Sequence, residues 1–184
     1  MGFIAKKRVK LRKLNASDAK FIVKWARNKD ITKYTSVIAP PCELKEAKNF
    51  IKKANLDIKN RSAYEFGIEL KENKNLIGTI NLSDINKKNK NAGVGIWLIK
   101  EYWGKGLSTE ALNLILRFGF KDLGLEKIQA RVLHKNTRAQ KLLRRAGFKL
   151  EGRLRRKTFF NNQWFDDLIY GLLSSEYSIK NNKE

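Results

Sequence analysis

Two glycines flank a lysine in the stretch Gly104-Lys105-Gly106, and Ser108 and Thr109 follow at the start of a helical pattern. Glycine lets a backbone turn its N–H groups toward an anion, and the first turn of a helix leaves N–H groups without intrahelical partners. The lysine adds positive charge, and the two hydroxyl groups can add contacts. This combination predicts a site for a phosphate-bearing ligand.

The loop differs from two common phosphate-binding motifs. A P-loop requires G-x-x-x-x-G-K-[ST], which is not present here, and Thr109 stands where the dinucleotide fingerprint G-x-G-x-x-G has its third glycine. A tight turn from a strand into a helix, with no ligand, would also use two glycines. The glycines alone therefore leave both interpretations open.

Hydrophobic spacing predicts the elements that position this loop. The predicted strands are residues 8–14, 63–70, 76–83, 92–99, 127–133, 148–155 and 157–173. The first predicted helix begins at Ser17–Asp18, which offer N-cap chemistry. Three further helices are predicted over residues 43–56, 107–118 and 137–146. We expect Asn136 to cap the last of these helices and Gly147 to end it. The order βααβββαβαββ predicts a single α/β domain over residues 1–184, with a core at about 8–174 and a frayed tail at 178–184.

Composition limits the class of protein. The 184 residues are 42% hydrophobic, enough for a buried core, and no apolar run is long enough to span a membrane, so we expect no membrane partner. Cys42 is the single cysteine, which excludes an internal disulfide framework and a cysteine-rich zinc site. We expect a cytoplasmic protein without a metal. The net charge of +22 favours polyanionic partners such as RNA or the ribosome, although a lysine-rich proteome would explain it equally well.

Longer segments resemble a known family. IWLIKEYWGKGLSTEAL, followed by VLHKNTRAQKLLRRAGFKLEG, resembles the GNAT superfamily of acetyl-CoA-dependent N-acetyltransferases. LRKLNASDAKFIVKWARN, LIGTINLSDI and FFNNQWFDDLIYGLL extend the resemblance over nearly the whole chain. The RimJ/RimL-type branch, which acetylates the N-terminal amines of ribosomal proteins, is the most similar. The resemblance implies a mixed, mostly antiparallel twisted sheet, flanked by helices and splayed between its fourth and fifth strands.

The same resemblance implies how acetyl-CoA binds as cosubstrate. Backbone N–H groups of the loop would hold the pyrophosphate, the fourth strand would pair with the pantetheine arm, and an N–H near Leu98 or Ile99 would hold the developing oxyanion. Asn136 matches the family asparagine that meets the pantetheine amides, and the helix after it carries a basic stripe for the nucleotide phosphates. The implied cofactor-binding residues are Trp97, Leu98, Ile99, Trp103, Gly104, Lys105, Gly106, Leu107, Ser108, Asn136, Arg138 and Lys141.

The usual catalytic side chains of the superfamily are missing. Gly93 replaces the strand glutamate, Ala139 replaces the serine three residues after Asn136, and Leu143 replaces the tyrosine before the Gly-Phe pair. Either water relays protons to a more distant carboxylate, or efficient catalysis has been lost. The candidate relay groups are Glu65, His134 and Glu151, each of which also fits a purely structural role.

The acceptor side is expected around residues 27–34, the Pro40–Pro41 loop and the last hairpin. Tyr34 and Trp164 are the candidate substrate-binding residues, and Asp166 and Asp167 could receive an ammonium group. The first functional hypothesis is acetylation of a protein N-terminus, of ribosomal type. The others are acetylation of a small amine (an aminoglycoside, amino sugar or polyamine) and a CoA- or RNA-binding module with little or no turnover. The positive charge disfavours polyamines, and we expect a monomer or a homodimer.

Overall fold

A computed structural model describes residues 7–28, 32 and 43–181. Seven strands form one sheet in the order β1-β2-β3-β4-β5-β7-β6. Their bounds are β1 Val9–Arg12, β2 Tyr64–Leu70, β3 Leu76–Asn86, β4 Asn91–Leu98, β5 Lys127–Leu133, β6 Lys149–Phe160 and β7 Gln163–Leu173. Every neighbouring pair is antiparallel except β4 and β5, which are parallel. The predicted mixed, mostly antiparallel sheet is confirmed.

Helices cover both faces of this sheet. They are α1 Ala19–Ala26, α2 Leu44–Asn60, α3 Leu107–Arg117, α4 Thr137–Ala146 and α5 Ser174–Asn181. One cluster of buried apolar side chains joins α3 and α4 to the sheet, and a second, smaller cluster joins α1 and α2 to the opposite face. Among the described helices, none combines the length and apolar character that crossing a membrane requires.

The parallel pair diverges soon after it begins. Pairing between β4 and β5 covers Asn91–Gly93 on β4 and Lys127–Gln129 on β5, and no further residue of β4 is paired with β5. The remaining residues of β4, 94–98, therefore present unpaired backbone toward β5. The splay implied by the family resemblance is confirmed.

The C-terminal part differs from its prediction. The turn between β6 and β7 lies at Asn161–Asn162, whose φ values of 48° and 55° suit the type I′ turn of a tight hairpin. The break expected at Arg155–Arg156 is wrong, because a bulge there leaves β6 continuous. Helix α5 extends to Asn181, which includes the first residues of the segment expected to fray.

The start of the first helical segment also differs. Asp18 is the N-cap residue of α1 but makes no side-chain cap bond to it. Asn15 caps the turn before α1: its Oδ1 accepts the Ser17 N–H at 3.0 Å, while the Asp18 carboxylate accepts the Asn15 N–H at 2.8 Å. A short 3-10 turn over Ala16–Asp18 then leads into α1. This reciprocal pair of bonds is a capping box closed one turn earlier than the sequence suggested.

Candidate active site

A cleft of about 720 Å³ opens where β4 and β5 diverge. Its walls are the β4 residues 94–98, the glycine loop, the first turn of α3, the end of β5 and the first turns of α4. Apolar side chains, including Leu112 and Leu143, line part of it. The cleft brings together most of the predicted cofactor-binding residues, although Ile99, Lys105 and Leu107 do not line it.

The backbone of β4 has two sides with different partners. The Ile99 N–H donates to the Ile77 carbonyl at 3.0 Å, and the Gly95 N–H donates to Asn81 Oδ1 at 3.1 Å, so these groups point toward β3. Because successive residues of a strand direct their N–H groups to opposite sides, Ile96 and Leu98 point into the cleft. Ile99 is therefore wrong as the oxyanion donor, and Ile96 joins Leu98 as a candidate.

The glycine loop presents a row of unpaired donors. Gly104 and Gly106 have φ values of 75° and 80°, which favour glycine, and Gly106 is the N-cap residue of α3. The N–H groups of residues 104–108 have no hydrogen-bond partner within the described ranges. The Trp103 N–H, which was expected to join them, instead donates to the Lys100 carbonyl at 3.0 Å. The donor row thus begins one residue later than predicted.

Trp103 contributes through its side chain. Its indole Nε1 donates to the Leu98 carbonyl at 2.8 Å, and the Arg138 guanidinium lies 3.8 Å from the centre of its ring. The indole therefore connects the end of β4 to the start of α4. This contact holds Arg138 at the mouth of the cleft, with a cation on an aromatic face.

Asn136 has the cap role that the sequence predicted. Its Oδ1 accepts the Ala139 N–H at 3.2 Å at the start of α4, and Gly147 ends the helix with a φ of 99°. The Asn136 Nδ2 has no partner in the described part of the chain. One end of the amide is thus fixed by the helix, and the other remains able to donate a hydrogen bond in the cleft.

A polar row crosses the opposite face of the sheet, on the side of α1 and α2. Glu65 on β2 accepts a hydrogen bond from Asn81 Nδ2 at 2.8 Å, and Asn81 Oδ1 accepts the Gly95 N–H. Gly95 permits this approach, since a Cβ there would lie 3.1 Å from Asn81 Oδ1. Glu65 Oε1 is buried without a hydrogen bond to any described residue, and burial raises the pKa of this carboxyl. The row connects a half-buried acid to the strand that walls the cleft.

The other two relay candidates have structural partners outside the cleft. His134 Nδ1 accepts the Asp166 N–H at 3.0 Å, which ties the ring to β7. Glu151 forms an ion pair with Lys127 at 2.8 Å. Neither residue lines the cleft, and the structure does not bring either of them together with Glu65.

The predicted acceptor residues either have structural partners of their own or lie outside the described residues. Trp164 is 55% exposed and packs against Phe159 at the tip of the β6–β7 hairpin. Asp166 is paired with Arg153, while Asp167 is buried and accepts a hydrogen bond from Thr158 at 2.8 Å. Tyr34 and the Pro40–Pro41 loop lie outside the described residues.

Comparison with known proteins identifies what this cleft belongs to. Residues 8–149 match the model of the acetyltransferase (GNAT) domain. The chain belongs to the GNAT acetyltransferase family. It is an acetyl-CoA-dependent N-acetyltransferase.

Three relatives show how far the similarity extends. N-acetyltransferase p20 of Bacillus licheniformis is 32% identical over 171 residues, covering 93% of this chain and 96% of the relative. The structure of a spermidine N-acetyltransferase from Vibrio cholerae, in complex with CoA and spermine, superposes with a TM-score of 0.83 at 29% identity, covering 94% and 99% of the two chains. A putative ribosomal N-acetyltransferase of Bacillus subtilis, YdaF, is 31% identical over 96 residues, which is 52% of each chain. These relatives establish the donor and leave the acceptor open between a polyamine and a ribosomal protein.

Proposed function

We propose that this GNAT acetyltransferase acetylates the N-terminal α-amine of a protein of ribosomal type, in the cytoplasm, as RimJ/RimL-type enzymes do. The observation that carries the proposal is the state of the carboxylates on the face of the sheet opposite α3 and α4. Glu69 and Asp167 are each paired with cations there, whereas Glu65 has no ion-pair partner among the described residues. An unpaired carboxylate beside β4 suits the single ammonium group of an N-terminus, whereas a polyamine, which carries several positive charges, would need further carboxylates.

In this proposal, the cleft holds acetyl-CoA through backbone groups. The N–H groups of residues 104–108 and the N-terminus of α3 receive the pyrophosphate, while Ile96 and Leu98 donate to the pantetheine arm and the thioester carbonyl. Asn136 Nδ2 donates to a pantetheine amide. Arg138 and Lys141, both exposed on α4, attract the nucleotide phosphates. Acetyl-CoA supplies an activated carbonyl carbon for attack by the amine.

Glu65 is the proposed proton acceptor on the other face. An N-terminal amine has a pKa near 8, so near neutral pH a substantial fraction arrives protonated. A carboxylate whose own pKa is raised by burial is a better proton acceptor than an exposed one. Asn81 holds Glu65 Oε2, and a water molecule above Gly95 would carry the proton from the amine to the carboxylate. In this proposal, Glu65 and the water take over the role of the strand glutamate of the superfamily, at whose position this chain has Gly93.

Acceptor competition tests the proposal directly. The purified protein is given acetyl-CoA with peptides that carry a free or a blocked N-terminus, and with spermidine and an aminoglycoside in parallel. Release of the CoA thiol is followed in each case. We expect release with free peptide N-termini and none with blocked ones. Turnover of spermidine or the aminoglycoside at a higher kcat/KM than any peptide would refute the peptide assignment.

A polyamine is the second candidate acceptor. The observation in its favour is the match to the spermidine N-acetyltransferase of Vibrio cholerae over 94% of this chain. For that acceptor, further carboxylates would have to join Glu65. A spermidine KM that rises steeply when Glu65 is replaced by glutamine, with peptides inert, would favour this candidate.

The net charge of +22 supports an acceptor close to RNA. The RNA around a ribosome-associated acceptor is polyanionic and would attract this positively charged protein to the acceptor. Binding of ribosomes that weakens steeply between about 50 and 200 mM salt would agree with this role. Ribosome affinity equal to that of an acidic control protein would contradict it.

A further inference from the structure

Arg8, just before β1, makes three hydrogen bonds to distant parts of the chain. Its Nη2 donates to the Lys105 carbonyl at 2.8 Å, and its Nε donates to Glu110 Oε1 at 2.7 Å. Its backbone N–H donates to Glu110 Oε2 at 2.8 Å. Arg8 therefore bonds at once to the centre of the glycine loop and to the first turn of α3. No property of the loop sequence indicates this partner, which lies 97 residues away.

The bond to Lys105 determines where the next N–H points. The Lys105 carbonyl and the Gly106 N–H belong to one planar trans peptide, in which the two groups point in opposite directions. Since the carbonyl is held by Arg8 on the outer side of the loop, the Gly106 N–H is directed to the other side. Gly106 lines the cleft, so this donor is directed toward the cofactor.

Close packing explains why residue 106 is glycine. A Cβ at this position would lie 3.2 Å from Arg8 Nη2, and the φ of 80° disfavours any side chain there. Arg8 Nη2 thus lies beside Gly106, where a side chain would crowd it. The loop conformation and the position of Arg8 depend on each other.

Charge gives Arg8 a second effect on the loop. Glu110 lies in the first turn of α3, beside the N–H groups that face the cleft, where an unpaired carboxylate would repel an anion. The Arg8–Glu110 ion pair, at 2.5 Å, neutralises that charge. The donor row can then receive a phosphate without an opposing negative charge.

We propose that Arg8 is a positioning residue for the pyrophosphate of acetyl-CoA, acting through the Lys105–Gly106 peptide and Glu110. The proposal rests on the proposed role of the glycine loop in holding that pyrophosphate. Arg8 does not itself touch the cofactor. Its replacement should weaken binding of the phosphate-bearing part of the donor and leave binding of the pantetheine part unchanged.

The test compares Arg8→Ala with Lys10→Ala. Lys10 is a matched control because it also lies in the β1 segment, is similarly exposed (49% against 54% for Arg8) and forms one ion pair, with Glu69 at 2.8 Å, away from the loop. Calorimetry measures the Kd of CoA, and an NMR titration measures the Kd of pantetheine, which has no pyrophosphate. We expect Arg8→Ala to raise the Kd of CoA about tenfold, the size of one lost charge-assisted hydrogen bond. Lys10→Ala should change it less than twofold.

Two further measurements separate positioning from a general loss of structure. The Kd of pantetheine should be the same for Arg8→Ala and the unmodified protein, since a disturbed fold would weaken both ligands. Arg8→Lys, which keeps the charge but can replace only part of the hydrogen bonding, should give an intermediate Kd for CoA. Equal loss of CoA and pantetheine binding would overturn the proposal.

Gly106→Asp distinguishes failure of this inference from failure of the loop assignment. If Gly106→Asp abolishes CoA binding while Arg8→Ala behaves like Lys10→Ala, the loop holds the pyrophosphate and Arg8 has no part in it. If CoA affinity survives Gly106→Asp unchanged, the loop assignment fails and the role of Arg8 fails with it.

Discussion

The donor side and the acceptor side of this molecule are built in different ways. The donor side is the cleft between β4 and β5, where backbone N–H groups and two helix starts face the ligand. The proposed acceptor side is the opposite face, where the side chains of Glu65 and Asn81 meet β4. Backbone N–H groups can bind the same ligand whatever side chains their residues carry. On the other face, a single side-chain substitution changes the groups that meet the acceptor. A family can therefore keep one donor and change its acceptor.

The largest expected effect comes from a substitution in the glycine loop of the donor side. Gly106→Asp places a side chain and a negative charge beside the N–H groups of the loop, and its carboxylate would draw Arg8 away from Lys105. We expect the Kd of acetyl-CoA to rise at least about a hundredfold. A residue other than glycine is strained at a φ near 80°, and the aspartate carboxylate repels the pyrophosphate. Calorimetry with acetyl-CoA measures this directly.

Gly124→Asp is the matched control. Gly124 also has a positive φ, 65°, and no atom lies within 4 Å of a Cβ placed there. It is not among the residues that line the cleft. The same strain and the same charge should leave acetyl-CoA affinity within twofold. A comparable loss in both variants would show that the effect reflects general destabilisation.

Next in size is a change on the acceptor side. Glu65→Gln keeps the shape of the side chain but cannot accept a proton, so kcat should fall about a hundredfold, the lower range for general base catalysis. The KM of acetyl-CoA should not change. In the unmodified protein, kcat/KM should fall as pH drops through the raised pKa of Glu65, and this acidic limb should disappear in the variant. An unaltered pH profile would exclude Glu65 as the proton acceptor.

The same substitution should have the opposite effect on stability. Because burial raises the pKa of Glu65 in the folded state, the stability that this group contributes is present at low pH and is lost as pH rises through the raised value. Glutamine does not ionise, so the Tm of Glu65→Gln should exceed that of the unmodified protein at pH 8 and approach it at pH 4. A variant that is less stable at pH 8 would show that the ionised carboxylate stabilises the fold.

Asn136 tests whether one side chain serves both the fold and the donor side. Asn136→Ala removes an N-cap and should reduce the free energy of unfolding by about 1 kcal/mol. Asn136→Ser keeps a cap but loses the free amide, so stability should recover while acetyl-CoA affinity stays reduced. Thermal unfolding and calorimetry on the two variants check this. Full recovery of affinity in the serine variant would mean that the amide does not contact the cofactor.

The smallest effect is expected at the mouth of the cleft. Arg138→Ala removes the cation from the ring of Trp103, an interaction of about 0.5–1 kcal/mol at an exposed site. The Kd of CoA should rise about threefold to fivefold, because an exposed ion pair with a phosphate contributes up to about 1 kcal/mol to binding. Because Arg138 is proposed to attract the nucleotide phosphates, the loss should shrink as salt increases from about 50 to 300 mM. A loss independent of salt would assign Arg138 a packing role alone.

The sequence predicted the elements of the donor side because their determinants are local. β5 has the predicted bounds, and α4 begins after Asn136 and ends at Gly147 as expected. Caps, glycines with positive φ and hydrophobic spacing act over a few residues. Each can therefore be read from a short segment.

The contact of Asn81 with Gly95 and the bond of Arg8 to the glycine loop could not be predicted in this way. Asn81 meets Gly95 only through the register of β3 with β4, and Arg8 meets Lys105 only through the folded sheet. The turn at Asn161–Asn162 did carry a local signal, because asparagine tolerates positive φ in tight hairpins, and the basic run before it obscured that signal. Long-range pairing therefore determined most of what the sequence did not reveal.

Trp103 gives the molecule a built-in optical probe. Its indole lies between the Leu98 carbonyl and the Arg138 guanidinium, at the edge of the cleft. The emission wavelength and intensity of an indole respond to charge and solvent nearby, so any ligand that moves Arg138 will change the fluorescence of the unlabelled protein. Replacing the exposed Trp164 with phenylalanine would remove a solvent-dominated signal from the background. Cofactor arrival could then be timed in a stopped-flow instrument before any acceptor is known.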